Sequence, residues 1–427
     1  MLTLPAIQRK FEIWKPKTLN GSFTLAHYEE FSLTKWFDVS FQQQYDKYLE
    51  DHIGFRTRYI RFFNTIDFHL FKKSHANGVL IGENNFLYEE RYINSYLGRN
   101  YIEEKTLFEK AIKTKLVQDS LAAHGVHFLV ITAPGKGWYY PEYLPKPYYK
   151  IQKTNTNYEF MTVKFKELGI NNIDFNSLFV LMKDTVFYPL FPKCGVHWSY
   201  ASMQYVVDSI IQYCEKNMLI DLPDMFIDSV EYTTKPRFTD YDIGDALNIN
   251  YKIPQDTLVY PHFSFKSDST KTKPRFLAIG DSFYWTFYNG GFANNLFSKN
   301  RFAYYNNELH GYKKGSFSDV VRKKEVKDAD LIVIWTTESQ YHDFDMGFVD
   351  DLKRYFELGW DSLDNVTIDE HEELIQFYIM QIKSSAEWLE HIKAKALENN
   401  IDLEEMIRLD AEYMVKQEEK TGDKIGD

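Results

Sequence analysis

Cysteine is nearly absent from the 427 residues: Cys194 and Cys214 are too few for a disulfide framework or a four-cysteine zinc site. Long apolar runs are missing as well. The most apolar stretches, residues 128–133 and 331–335, are strand-sized and far short of the roughly 18–20 residues that cross a bilayer. The opening Met-Leu-Thr-Leu-Pro is too short for a signal peptide, so the chain as it stands carries no address. Positive charge is not in excess either. With 50 Lys+Arg against 61 Asp+Glu, the net charge of −11 argues against a nucleic-acid partner, which needs a basic face. Neither a solenoid repeat nor a low-complexity run is present.

What is abundant is aromatic: 34 Phe, 31 Tyr and 8 Trp make up 17% of the chain. Such side chains build thick cores or stack on ring-shaped ligands. Hydrophobic residues at 44% and charged residues at 26% are the balance of a globular chain, and its length calls for two or three packed units. The acidity is local. Residues 361–427 hold 18 Asp+Glu against 7 Lys+Arg, and the rest of the chain is balanced.

Periodicity divides the chain into three. Residues 1–100 read as a lead-in of helices and a hairpin, with Phe41, Tyr45, Tyr48 and Leu49 at helical spacing and a break near Gly54. Asn77-Gly78, Val79-Leu-Ile81, Gly82 and Phe86-Leu-Tyr88 read as the hairpin. Residues 101–360 alternate: helices near 103–124, 156–168, 199–217, 284–298, 317–327 and 344–358, and strands at 126–133, 276–279, 302–305 and 331–335. The predicted class is therefore α/β, a mostly parallel sheet flanked by helices, with ligands beyond the strands' C-terminal ends. Residues 361–427 form an acidic helical appendage. Asp369…Glu372, Ser384…Glu387 and Asp402…Glu405 have capping-box spacing. Their stripes (Ile375, Ile379, Ile382; Trp388, Ile392, Ala396; Leu403, Met406, Ile407, Met414) must face either the body or a partner.

Two segments carry chemistry. In Phe276-Leu-Ala-Ile-Gly280-Asp281-Ser282-Phe283 a buried strand runs into a tight turn and then a helix. Gly280 relieves crowding there, and the Ser282 backbone N–H is placed to stabilise an oxyanion. A bare Gly-Asp-Ser also serves as a plain helix cap. In Cys194-Gly195-Val-His197-Trp198-Ser199 the histidine supplies the base that a serine nucleophile needs. Trp198, Tyr284 and Trp285 flank these two residues and are candidate contacts for sugar rings. Lys136 lies in a Pro-Gly-Lys-Gly loop without phosphate-loop spacing. Cys194-x2-His197 has metal-like spacing but no second pair of ligands, so neither metal nor cofactor is expected.

In order along the chain, Thr132-Ala-Pro-Gly-Lys136, Tyr140-Pro-Glu-Tyr-Leu-Pro145, the His197 segment and the Gly280-Asp-Ser block resemble the alginate O-acetyltransferase family. That family has an SGNH-hydrolase-like domain and takes part in exopolysaccharide acetylation. Tyr48-Leu-Glu-Asp51-His-Ile-Gly-Phe55-Arg56, Phe63-Asn64, Val79-Leu-Ile-Gly82 and Leu87-Tyr88 resemble its upstream segment, so the likeness spans residues 40–345. It implies Ser282 as acetyl-accepting nucleophile, His197 as base, a polysaccharide substrate and a cell-envelope, periplasmic location. It also implies an acetyl donor delivered by a membrane-bound O-acyltransferase. One departure stands out. The family places an Asp two residues before the histidine, where this chain has Gly195. Either another acid completes the triad, or a Ser–His dyad works alone, or the site is dead and the protein binds polysaccharide or scaffolds an envelope complex. Arg237-Phe-Thr-Asp240-Tyr-Asp242-Ile-Gly-Asp245 offers three carboxylates, of which Asp242 is the choice; Glu338 is a further candidate.

Overall fold

A computed structural model describes residues 3–15, 17–21, 25–37, 39–311, 315–361 and 369–421. Residues 1–2 of the opening stretch, and 362–368 and 422–427 of the acidic tail, lie outside the described residues. Eleven strands are described: β1 (Val79–Ile81), β2 (Leu87–Glu89), β3 (His127–Ala133), β4 (Asn172–Asp174), β5 (Asp224–Thr233), β6 (Leu258–Lys266), β7 (Arg275–Gly280), β8 (Lys299–Tyr304), β9 (Glu308–His310), β10 (Gly315–Ser316) and β11 (Leu331–Thr337).

Seven of them form the central sheet in the order β10-β9-β8-β7-β11-β3-β4. From β8 to β4 all neighbours are parallel, and β9 and β10 add an antiparallel edge. The central strands are apolar over most of their length because both faces are covered. Leu129, Ile131, Val333 and Trp335 enter one core with Trp198 and the helix Met203–Tyr213. Phe128, Val130, Ile332 and Ile334 enter the other, against the helices Glu104–Ala123, Asn157–Leu168 and Phe348–Leu358.

The predicted hairpin is β1 with β2, in register Val79 opposite Glu89. One expectation changes, and one hairpin was not foreseen. The helix expected over 284–298 is two short ones, Tyr284–Asn289 and Phe292–Leu296, because Gly290-Gly291 interrupts it and Gly291 sits at φ +76°. The second hairpin, β5 with β6, carries no readable alternation. Phe226, Ile227 and Val230 are exposed, and the register shifts between Ile227 and Ser229.

In the tail the apolar stripes face one another. Ile375, Ile382, Ile392, Ala396, Met406, Ile407, Ala411 and Val415 make a cluster of tail residues only. Val415, not Met414, completes the last stripe. A link to the sheet's edge runs from the Ser318 hydroxyl to Glu373, at 2.7 Å. Asp369 and Asp402 accept helix-end N–H groups as expected. The second cap is Ser385, which accepts from the Trp388 N–H, while Ser384 donates to the Gln381 carbonyl; the Glu387 side chain lies outside the described residues.

Ile334 is fully buried on the central strand of this sheet. Ile334→Ala is expected to lower global stability by about 2–5 kcal/mol in chemical denaturation, with the folded far-UV circular dichroism unchanged.

Candidate active site

The nucleophile turn is built where β7 ends against β11. Gly280 pairs with Trp335, and a Cβ at position 280 would lie 2.7 Å from the Trp335 carbonyl oxygen. Only glycine allows the two strands to approach so closely. The next residue locks the turn. The Asp281 N–H donates to the Trp335 carbonyl at 3.1 Å. Its buried carboxylate accepts from the Phe283 N–H at 3.0 Å and the Thr337 N–H at 2.7 Å. Burial pushes this carboxyl's pKa up and those two N–H groups hold it down. Ser282 therefore sits half-buried at the C-terminal edge of the sheet. Among the described residues no acceptor engages its backbone N–H, which is left to meet a developing oxyanion.

His197 reaches the serine from an irregular loop between Pro192 and Ser199. Its Nε2 lies 3.0 Å from Ser282 Oγ, and its Nδ1 lies 2.6 Å from Asp242 Oδ2. A carboxylate has no hydrogen to give, so Nδ1 carries the proton and Nε2 presents its lone pair to the serine hydroxyl. Asp242 opens a short helix, Asp242–Ala246, within the connection between β5 and β6. Its other oxygen accepts from the Val196 N–H at 2.9 Å, so one carboxylate grips both the ring and the backbone beside it.

Gly195 explains the route. A Cβ there would lie 2.6 Å from the Thr239 carbonyl oxygen and 2.6 Å from Pro192 Cγ. The segment that delivers Asp242 passes directly over this glycine, and the Gly244 N–H closes the contact on the Cys194 carbonyl at 2.9 Å. An aspartate at position 195 would occupy the space that the incoming acid's own backbone fills. Glycine at position 195 and the passage of the Asp242 segment over it are thus one steric fact.

The other candidates fall elsewhere. Asp240 is buried on the Tyr260 hydroxyl, its pKa pushed up to about 7 by desolvation, and Asp245 is exposed beside Lys252. Glu338 accepts from the Ser95 hydroxyl at 2.6 Å and the Trp138 ring N–H at 3.2 Å, not from His197. Burial raises its pKa to about 8. Trp198 and Tyr284 are fully buried, so they are core and not sugar contacts. Trp198 packs against Phe175, Phe283 and Trp335, and Tyr284 against Phe302 and Trp335. Trp285 keeps part of its ring toward solvent, edge-on to Phe302 and His310. Cys194 is buried and accepts from the Gln255 side chain. The role of Asp281 was not apparent in the sequence: its short-range bond resembles any aspartate cap, and its bond to Thr337 joins residues 56 positions apart.

Part of the chain is similar to an SGNH-hydrolase-like domain. Residues 79–249 match the family model described as SGNH hydrolase-like domain, acetyltransferase AlgX, which takes in His197 and Asp242 and stops before Ser282. The chain's resemblance to the alginate O-acetylation proteins rests on that match. No curated protein matches the chain. Among solved structures, the O-acetyltransferase domain of Pseudomonas putida AlgJ aligns at 16% identity and a TM-score of 0.45, over 65% of this chain and 99% of that one. Pseudomonas aeruginosa AlgX aligns at 13% and 0.42, over 64% and 67%. Bacillus cereus PatB1 aligns at 12% and 0.37, over 62% and 96%.

Two outcomes follow from the geometry. Gly195→Asp combined with Asp242→Asn is expected to stay as inactive as Asp242→Asn alone, since the clash with Thr239 bars the new carboxylate from the ring; recovered ester turnover would show that the clash is relieved. For Glu338, the folded state holds a proton that the unfolded carboxyl has lost between its ordinary value of 4.5 and about 8. Stability therefore falls as pH rises through that window. Glu338→Gln should flatten this part of the melting-temperature profile, and an unchanged slope would place the titration elsewhere.

Proposed function

We propose that the protein transfers acetyl groups to polysaccharide hydroxyls through an acetyl-serine intermediate. The observation that carries this reading is the continuous hydrogen-bonded line Asp242–His197–Ser282 at the sheet's C-terminal edge. The match over residues 79–249 to an acetyltransferase family model supports the acyl class.

In the proposed cycle, Ser282 Oγ attacks the carbonyl carbon of an acetyl donor as His197 Nε2 takes the hydroxyl proton. Asp242 holds the ring and stabilises the imidazolium. The Ser282 N–H donates to the oxyanion. The tetrahedral intermediate collapses, the C–O bond to the donor breaks, and His197 returns the proton to the departing oxygen. A sugar hydroxyl then gives its proton to His197 and attacks the acetyl-serine. The new ester leaves and Ser282 regains its proton. In this reading Trp285, part of whose surface stays open to solvent, meets the acceptor sugar. By family resemblance the donor is supplied by a membrane-bound O-acyltransferase in the cell envelope, with the protein on the periplasmic side. Residues 101–360 are the catalytic unit, with 1–100 as lead-in and 361–427 as appendage. Among the described residues no helix is long and apolar enough to cross a membrane. Gly195 no longer favours a dead site, since Asp242 stands on the ring nitrogen.

The test is intact-mass and peptide-mapping analysis after incubation with an activated acetyl ester. An acetyl group is expected on Ser282 of the wild type and absent from Ser282→Ala and His197→Ala. A wild-type label no greater than that of Ser282→Ala would sink the proposal. Asp242→Asn should lower kcat by up to about 10⁴-fold while leaving KM for the ester nearly unchanged, because the ring loses its orienting partner.

A further inference from the structure

Lys136 takes no part in the cycle above, yet its side chain is fully buried. Its Nζ lies 2.8 Å from each of three carbonyl oxygens, those of Pro192, Lys193 and Gly195. A neutral amine has two hydrogens, so only the ammonium form serves all three acceptors together. Nζ also stands 5.5 Å from the centre of the Tyr88 ring and 5.9 Å from that of Phe86, faces that attract a cation. The groups that face it are few. Burial, the largest influence, pulls its pKa down to about 7; the Cys194 thiol and the Asp242 carboxylate favour the charge, and Lys193 opposes it. Burial holds the Tyr88 phenol neutral.

A buried ammonium is costly, and an apolar residue would fill the space more cheaply unless the charge does something. The three carbonyls belong to the stretch that ends two residues before His197. Between that stretch and His197, the Val196 N–H is held by Asp242. We propose that Lys136 is a positioning residue whose ammonium group clamps residues 192–195 and so keeps His197 aligned with both Ser282 and Asp242. The proposal rests on the acetyl-transfer reading and assigns a purpose to the Pro-Gly-Lys-Gly segment, whose lysine opens the short helix Lys136–Tyr139.

The experiment compares turnover of an activated acetyl ester by wild type, Lys136→Met, Lys136→Gln and Lys136→Arg, with Ser282→Ala as reference, across a range of pH. The neutral variants should lose kcat by about 10- to 100-fold with KM nearly unchanged. Lys136→Arg keeps the charge and the donors, so it should recover most of the lost kcat, which a merely space-filling side chain would not. Glutamine keeps two donors and a similar length, so it decides the matter if the methionine variant fails to fold. A folded neutral variant with wild-type kcat overturns the clamp. Equal turnover by wild type and Ser282→Ala would instead overturn the acetyl-transfer reading itself.

Discussion

The bond from Asp242 to His197 is the constraint on which the rest of the site depends. It joins a loop that follows β4 to the long connection between β5 and β6, and no regular secondary structure bridges the two. The acid must therefore be held by its own backbone contacts. Asp242 grips the Val196 N–H, Gly244 reaches the Cys194 carbonyl, and Gly195 leaves the gap through which the chain passes. Together they hold in place the carboxylate that sets the tautomer of the imidazole.

The nucleophile's half of the site is rigid for a different reason. It hangs from the sheet itself. Gly280 lies against Trp335, and the Asp281 carboxylate spans from the turn to the end of β11, so Ser282 inherits the precision of two paired central strands. The histidine's half has only loops, and there a buried lysine and an aspartate supply from side chains the order that a ladder of backbone bonds supplies elsewhere. Polar groups cost most where they are buried, and three buried charged residues near this edge (Lys136, Asp281 and Glu338) each tie separate elements together.

Legibility in the sequence followed the same division. The strands 126–133, 276–279 and 331–335 were readable because a parallel strand buried on both faces is an unbroken apolar run. The hairpin of β5 and β6 was not, since its exposed Phe226, Ile227 and Val230 break the alternation that marks a half-buried strand. Trp198 and Tyr284 misled for a related reason: in a chain this aromatic, adjacency to Ser282 or His197 does not distinguish a ring lining a cleft from one filling the core behind it. The tail's stripes were visible, but that they pack on one another could not be read from any single helix.

From the sequence alone came the residue types and their order: a strand ending in Gly280-Asp281-Ser282, a histidine at 197, a missing acid at 195 and three carboxylates between 240 and 245. These follow from local chemistry, since periodicity and turn composition act over a few residues. Which carboxylate meets the ring, and why glycine stands where an acid was expected, only the tertiary structure decided. Both depend on a contact between segments some 45 residues apart, where one backbone occupies the volume that another side chain would need.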